Sequence, residues 1–341
     1  MVLHVRGTVL PEREARSLWI DGGVLREAPV ADAETVADGG WLLPGLVDVH
    51  THPGAEQPGD PFDESVLRTD LAEHAAAGVL LIRAPGSAAR IPGWAHDADG
   101  LPRVRSAGPW LATPGRFFRS WGRHVTEAEL AAAAAEEAAA APEAAGMPEA
   151  TGPAGRGPGD GLETGQRTSL GTGQAAVTAP SPAPAAGVDS LEHGLHLDPG
   201  LLHQMAAQGT ALVPTLNAFA AAAFRVRAWD PGPRRDSFLA GWAAMPAGAA
   251  AAHEAGVTVL AGTDTHPCGT VAEEVERLIG AGLPRAAAVG AASWTARAWL
   301  GLPGLTDGAP ADLVIYDEDP VAHPDILHHP RLIILRGQIL A

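Results

Sequence analysis

Lysine does not occur in this chain of 341 residues: all 23 of its basic residues are arginine. Cysteine occurs once, at Cys268, which rules out an internal disulfide and says nothing of compartment. No apolar run approaches the roughly 20 residues of a membrane helix. Met1-Val2-Leu3-His4-Val5-Arg6 lacks a basic segment followed by an apolar signal core, so a cytoplasmic location is expected. The 40 acidic residues leave a formal net charge of −17, which argues against nucleic acid or an anionic membrane as partner. The expected partner is a small-molecule substrate, and a homo-oligomer is left open.

Apolar residues make up 46% of the sequence, enough for a sizeable core, and the length suits one α/β barrel with an additional small domain. The segments Val2 to Val9, Ser17 to Ile20 and Val24 to Val30 read as strands, with Asp21-Gly22-Gly23 as a hairpin turn. The C-terminal end has the same texture in Ala311 to Tyr316, Leu332 to Leu335 and Gln338 to Leu340. Neither end can bury a core alone, so residues 1–43 and 306–341 are expected to form one composite β-domain. Residues 44–305 repeat a helix, a glycine stop and an apolar strand: Ser65 to Ala77 before Val79 to Ile82, Leu201 to Gln208 before Thr210 to Leu216, Ala247 to Ala255 before Val257 to Ala261. Helices over Thr270 to Gly280 and Pro284 to Leu300 follow. That alternation predicts parallel strands covered by helices, with chemistry at the C-terminal strand ends.

Three such ends carry metal-ligating side chains. The run Leu42 to Val49 reads as one buried strand ending in His50-Thr51-His52, and alternation along it points both histidines the same way. Two neutral imidazoles side by side suit zinc or a similar ion. His193 follows Val188 to Leu191, and Asp264 follows Val257 to Thr263; a carboxylate there could ligate a metal and take a proton from water. Thr263, Thr265 and His266 are candidates to orient Asp264, with a plain turn role as the equal alternative. Arg119 and Arg123, after the strand Val104 to Ala107, are weaker candidates for binding a substrate carboxylate.

The segments Pro44-Gly45-Leu46-Val47-Asp48-Val49-His50-Thr51-His52, Asp189-Ser190-Leu191-Glu192-His193-Gly194, Ala261-Gly262-Thr263-Asp264-Thr265 and Gly308-Ala309-Pro310-Ala311-Asp312-Leu313-Val314, in this order, resemble the amidohydrolase superfamily, most closely its imidazolonepropionase-like and prolidase-like branch. The resemblance implies a distorted (β/α)8 barrel of the TIM type, a composite β-domain, and one or two divalent metals, zinc or another, that activate water. By the same resemblance His50 and His52 are first-strand ligands and Asp264 is ligand and proton shuttle. His193 then holds a second metal or polarises the substrate carbonyl. The implied activity is hydrolysis of a carbon–nitrogen bond in an amide, cyclic amide or dipeptide; a ring deaminase and a non-catalytic binder are the alternatives.

One region departs from the pattern. The family's fourth and fifth strands bring a carboxylated lysine and a histidine, but this chain has no lysine, so a lysine carbamate is excluded, and no histidine lies between His124 and His193. Residues 146–186 are rich in glycine, proline, alanine and threonine and read as low-complexity and disordered, leaving the barrel incomplete around strands 4–5. The distance from Gly108 to His193 matches the two missing units, which suggests a reading-frame slip over roughly Gly146 to Ala186 or a natural linker in their place.

Overall fold

The computed structural model describes residues 1–57, 59–114, 121–126, 128–140 and 188–340. Arg119 and the low-complexity stretch 146–186 lie outside the described residues. Both termini contribute to one seven-stranded sheet. Its N-terminal strands are β1 (Leu3–Val9), β2 (Glu14–Asp21), β3 (Val24–Arg26) and β4 (Glu34–Pro44). The far end of the chain adds β12 (Leu313–Tyr316), β13 (Leu332–Leu335) and β14 (Gln338–Ile339), in the order β14-β13-β12-β4-β1-β2-β3. Alternation sets its inner face: Leu3, Val5 and Val9 of β1 bury with Leu18 and Ile20 of β2 and with Leu313 and Ile315 of β12.

The apolar run Leu42 to Val49 is not the single strand expected. β4 pairs antiparallel with β12, Pro44 opposite Leu313, whereas β5 (Leu46–Asp48) pairs parallel with β6 (Val79–Ala84), Leu46 opposite Val79. The chain changes sheets at Gly45, whose N–H donates to Asp312 O at 3.0 Å while the next amide, on Leu46, donates to Gly78 O at 2.9 Å. Both sheets bury their share of the run, so no polar residue marks the break. A Cβ at Gly45 would stand 2.6–2.7 Å from the Leu80 side chain, which is why the crossing residue has none.

Beyond the crossing, helix α1 (Glu64–Ala76) starts where Asp63 accepts from the amides of Ser65 and Val66. The strands β6, β7 (Arg103–Ser106), β8 (Leu111–Ala112), β9 (Arg123–His124), β10 (Ser190–Glu192) and β11 (Ala211–Val213) run parallel in the groups β5-β6-β7, β8-β9 and β10-β11. Residues 257–261 join these groups: Leu212 N donates to Thr258 O at 2.8 Å, and Val49 N to Ala261 O at 3.0 Å. That stretch is held by a single bridge, Leu212 with Val259, rather than the full strand expected. The fold is mixed α/β; no sheet closes on itself among the described residues.

Helices α2 (Trp94–Asp97), α3 (Leu130–Ala140) and α4 (Leu202–Gln208) follow α1, and the later helices differ from expectation in length. α6 (Pro233–Glu254) extends far upstream of Ala247, and α5 (Leu216–Arg227) begins three residues after β11 ends, so Thr210 to Leu216 is only half strand. α7 (Val271–Ala281) is followed not by one helix but by α8 (Arg285–Ala291) and α9 (Trp294–Trp299), since Ser293 leaves helical geometry to donate from its hydroxyl to Pro44 O at 2.7 Å. No helix among the described residues is long and apolar enough to cross a membrane. Because the sheet crossing has no room for a side chain, Gly45→Ala is expected to cost about 1–3 kcal/mol of stability. Urea unfolding should show this as a lower midpoint at an unchanged slope.

Candidate metal centre

Three strand ends deliver four side chains to one place. His50 and His52 lie just past β5, His193 directly follows β10, and Asp264 ends the stretch that follows Val257 to Ala261. His50 Nε2 is 3.1 Å from His52 Nε2 and 3.9 Å from Asp264 Oδ1. Asp264 Oδ1 is 3.5 Å from His52 Nε2, and its Oδ2 is 4.0 Å from His193 Nε2. One donor each from His50, His193 and Asp264 falls within 4.8 Å of the others. The four residues separated by up to 214 positions in sequence thus meet, as their strand-end placement anticipated.

The outer nitrogens fix the tautomers. His52 Nδ1 is 2.6 Å from Gly86 O, which can only accept, so Nδ1 carries the hydrogen and Nε2 turns a lone pair inward. His50 Nδ1 is 2.6 Å from Glu192 Oε2, which by the same logic accepts from it. His193 Nδ1 meets Thr215 Oγ1 at 2.7 Å. With neutral rings, two lone pairs would face each other across 3.1 Å beside the Asp264 carboxylate, an arrangement that requires positive charge between them. Burial opposes a charge on His50, but the hydrogen bond and the negative charge of Glu192, aided by Asp264, raise its pKa. Burial, with the neighbouring cation on His50, pushes His193 down to about 4; burial likewise takes His52 to about 4.

A divalent ion meets the same requirement, and the donor set fits one. Ligand atoms about 2.1 Å from a tetrahedral zinc stand roughly 3.4 Å from one another, and the separations here are 3.1, 3.5, 3.9 and 4.0 Å. Neutral imidazoles with Nδ1 tied to an acceptor are the form in which histidine binds metal.

Two side chains that sequence reasoning missed as functional hold the centre from behind. Glu192 is buried. Its Oε2 takes His50, while its Oε1 accepts from Arg83 Nη1 at 3.1 Å and from Ser190 Oγ at 2.5 Å. Burial would raise its pKa, yet the Arg83 charge and the bonds from His50 and Ser190 hold it well below the usual carboxylate range. The signal for Arg83 was there: an arginine inside the apolar strand Val79–Ala84 needs a buried counter-charge. Asp48 is the other. It accepts from the amides of His50 (3.1 Å) and Thr263 (3.0 Å) and from Thr263 Oγ1 (2.6 Å), clamping the β5 end to the segment that carries Asp264.

Of the two roles open to Thr263, Thr265 and His266, orienting Asp264 is not the one observed. Thr263 serves Asp48, Thr265 Oγ1 meets Thr270 Oγ1 at 2.7 Å, and His266 pairs with Asp70 at 3.3 Å. Asp264 is placed instead by its own amide, which donates to His50 O at 2.8 Å. Arg123 is held by carboxylates of this chain, Nη1 on Glu137 at 2.7 Å and Nη2 on Glu136 at 3.0 Å. Three residues at the site have left-handed backbones without being glycine: His193 (φ 66°), Asp264 (φ 48°) and the β-branched Thr215 (φ 48°). Such conformations are costly and gather where geometry is functional.

No protein-family model matches the chain. It is 39% identical to the uncharacterized proteins Rv2915c of Mycobacterium tuberculosis and Mb2939c of Mycobacterium bovis, over 98% of this chain and 95% of each relative. Among solved structures it superposes on a Xaa-Pro dipeptidase with bound methionine at TM-score 0.76 and 20% identity, covering 99% of both chains. A putative prolidase from Bifidobacterium longum gives 0.74 and 22%, over 99% of this chain and 94% of that one. The ochratoxinase of A. niger gives 0.68 and 19%, over 99% and 95%.

Behind Thr51, the residue between the two ligand-like histidines, sits His74 of α1. It is fully buried, with Nε2 3.3 Å from Thr51 Oγ1 and no hydrogen bond at Nδ1. Burial pushes its pKa from 6.5 down to about 3. Unfolding therefore takes up a proton on this ring between those values, so its share of stability is whole above pH 6.5 and is lost as the pH falls toward 3. His74→Leu is expected to make the pH dependence of urea stability between pH 6 and 4 shallower, by up to about 1.4 kcal/mol per pH unit.

Proposed function

We propose that the chain, which belongs to one family with these mycobacterial proteins, is a member of the amidohydrolase superfamily in its prolidase-like branch, and a metal-dependent hydrolase of carbon–nitrogen bonds in small amides, cyclic amides or dipeptides. The observation that carries this reading is the inward convergence of His50 Nε2 and His52 Nε2 at 3.1 Å beside Asp264, each ring with its outer nitrogen already committed. Burying such a set is costly unless a cation is shared among its members. In this reading His50, His52 and Asp264 hold zinc or another divalent ion, and His193 completes that site or serves a second ion.

When bound, the ion supplies Lewis acidity, which polarises a carbonyl and brings the pKa of water from about 16 toward 7. The chain's own residues do the rest. Asp264 is the most accessible of the four, its side chain 30% exposed where that of His50 is wholly buried. It is placed to take the proton of the attacking water and pass it to the leaving nitrogen. Where His193 holds no ion, its Nδ1 being engaged by Thr215, its Nε2 is free to polarise the substrate carbonyl. Glu192 and Arg83 keep the His50 ring in orientation, and Asp48 keeps the two ligand-bearing segments in register.

The test is metal content together with turnover. Protein loaded with zinc is expected to retain about one equivalent or more after dialysis and to hydrolyse members of a panel of neutral amides and dipeptides, with Asp264→Asn lowering kcat by about a hundredfold or more. Ammonia release from nucleobases without amide hydrolysis would identify a ring deaminase instead. Absence of both metal and turnover would identify a binding protein. In chelator competition, Glu192→Gln should weaken zinc affinity by about 10- to 100-fold, because the ring it orients is a ligand.

A further inference from the structure

Aromatic rings close on the histidines from two directions. On the His52 side the ring centroids of Trp110 and Trp121 stand 5.3 and 5.9 Å away, both tilted by 56°. Both tryptophans are buried, and Trp121 Nε1 donates to Asp60 O at 2.6 Å, so this side is fixed wall. The His193 side is built differently. Phe219 lies 5.3 Å from the His193 ring, and Phe238 stacks on Phe219 at 5.7 Å with the planes 10° apart.

Both phenylalanines are only half-buried. They come from separate helices, α5 and α6, and the start of α5 is anchored by Glu274, whose two oxygens accept from the amides of Leu216 (2.8 Å) and Asn217 (2.7 Å). A half-open pair of nearly parallel rings beside a candidate catalytic histidine offers a surface that a third ring completes. Offset stacking adds to the gain from burying the apolar area itself. Arg123, the described candidate for a substrate carboxylate, is already paired with Glu136 and Glu137, so recognition by these residues is aromatic rather than ionic.

We infer that the substrate carries an aryl group beside the scissile carbon–nitrogen bond, seated on Phe219 and Phe238 next to His193. The substrate class is then aryl-substituted neutral amides. This rests on the hydrolase reading above, so the test separates ring recognition from catalysis. Zinc-free protein is titrated calorimetrically with phenylacetamide and with acetamide. Zinc-loaded protein is assayed for kcat/KM on phenylacetyl-alaninamide, acetyl-phenylalaninamide and acetyl-alaninamide. Phenylacetamide is expected to bind about tenfold or more tightly than acetamide, and one of the two aryl amides to be preferred by a similar factor. Phe219→Ala and Phe238→Ala should each shrink these ratios severalfold, and Phe219→Tyr should keep them. Equal binding of the two amides, or ratios indifferent to both alanine substitutions, overturns the inference whether or not hydrolysis is seen. A binding preference without any hydrolysis upholds the ring site and overturns the hydrolase reading.

Discussion

The buried contact between Glu192 and His50 governs both the charge and the architecture around it. One carboxylate oxygen fixes the His50 tautomer, and the other takes Arg83 and Ser190. Arg83 belongs to β6 and Glu192 to β10, strands that are not hydrogen-bonded neighbours, so the ion pair ties one side of the parallel array to the other. Removing either partner would strand a charge in the interior, at a cost of roughly 3–5 kcal/mol. Stability of the array and orientation of a candidate ligand therefore depend on the same few atoms.

Around that contact the ends of the strands are held from the backbone outward. Asp48 grips the amides of His50 and Thr263, and Asp264 in turn donates its amide to His50 O. Burial lifts Asp48 to about 6 against the pull of its Thr263 and His50 bonds. The left-handed backbones of His193, Thr215 and Asp264 sit within this layer. Conformations that a free chain would avoid persist here because hydrogen bonds on either side leave the loops little alternative.

The parts of this arrangement that could be read from residues alone are those in which a local pattern carries the chemistry. A His-x-His pair, a histidine after a short apolar strand and an aspartate at the end of another are visible as spacings, and their strand-end positions follow from the helix–glycine–strand repeat. What escaped notice depends on partners distant in sequence. Glu192 and Arg83 lie 109 positions apart, and neither reveals the other. The crossing at Gly45 is hidden because Leu42, Leu43 and Pro44 on one side of it and Leu46 and Val47 on the other are all buried and apolar. The start of α5 reads as strand in the sequence because Leu212, Val213 and Leu216 form an apolar run with β propensity. Capture of the Leu216 and Asn217 amides by Glu274 turns that run into a helix.

Solvent access across the four side chains runs in a chemically useful direction. The His50 ring is wholly buried, those of His52 and His193 are 13% exposed, and Asp264 is 30% exposed. Burial drives the outer two histidines toward neutrality, whereas the bond and charge of Glu192 raise the pKa of His50. In the proposed hydrolase a proton on His50 and a metal ion would therefore compete for one position at the deepest point of the site. Asp264, the most exposed of the four, would hold the ion from the open side, where water and substrate would arrive.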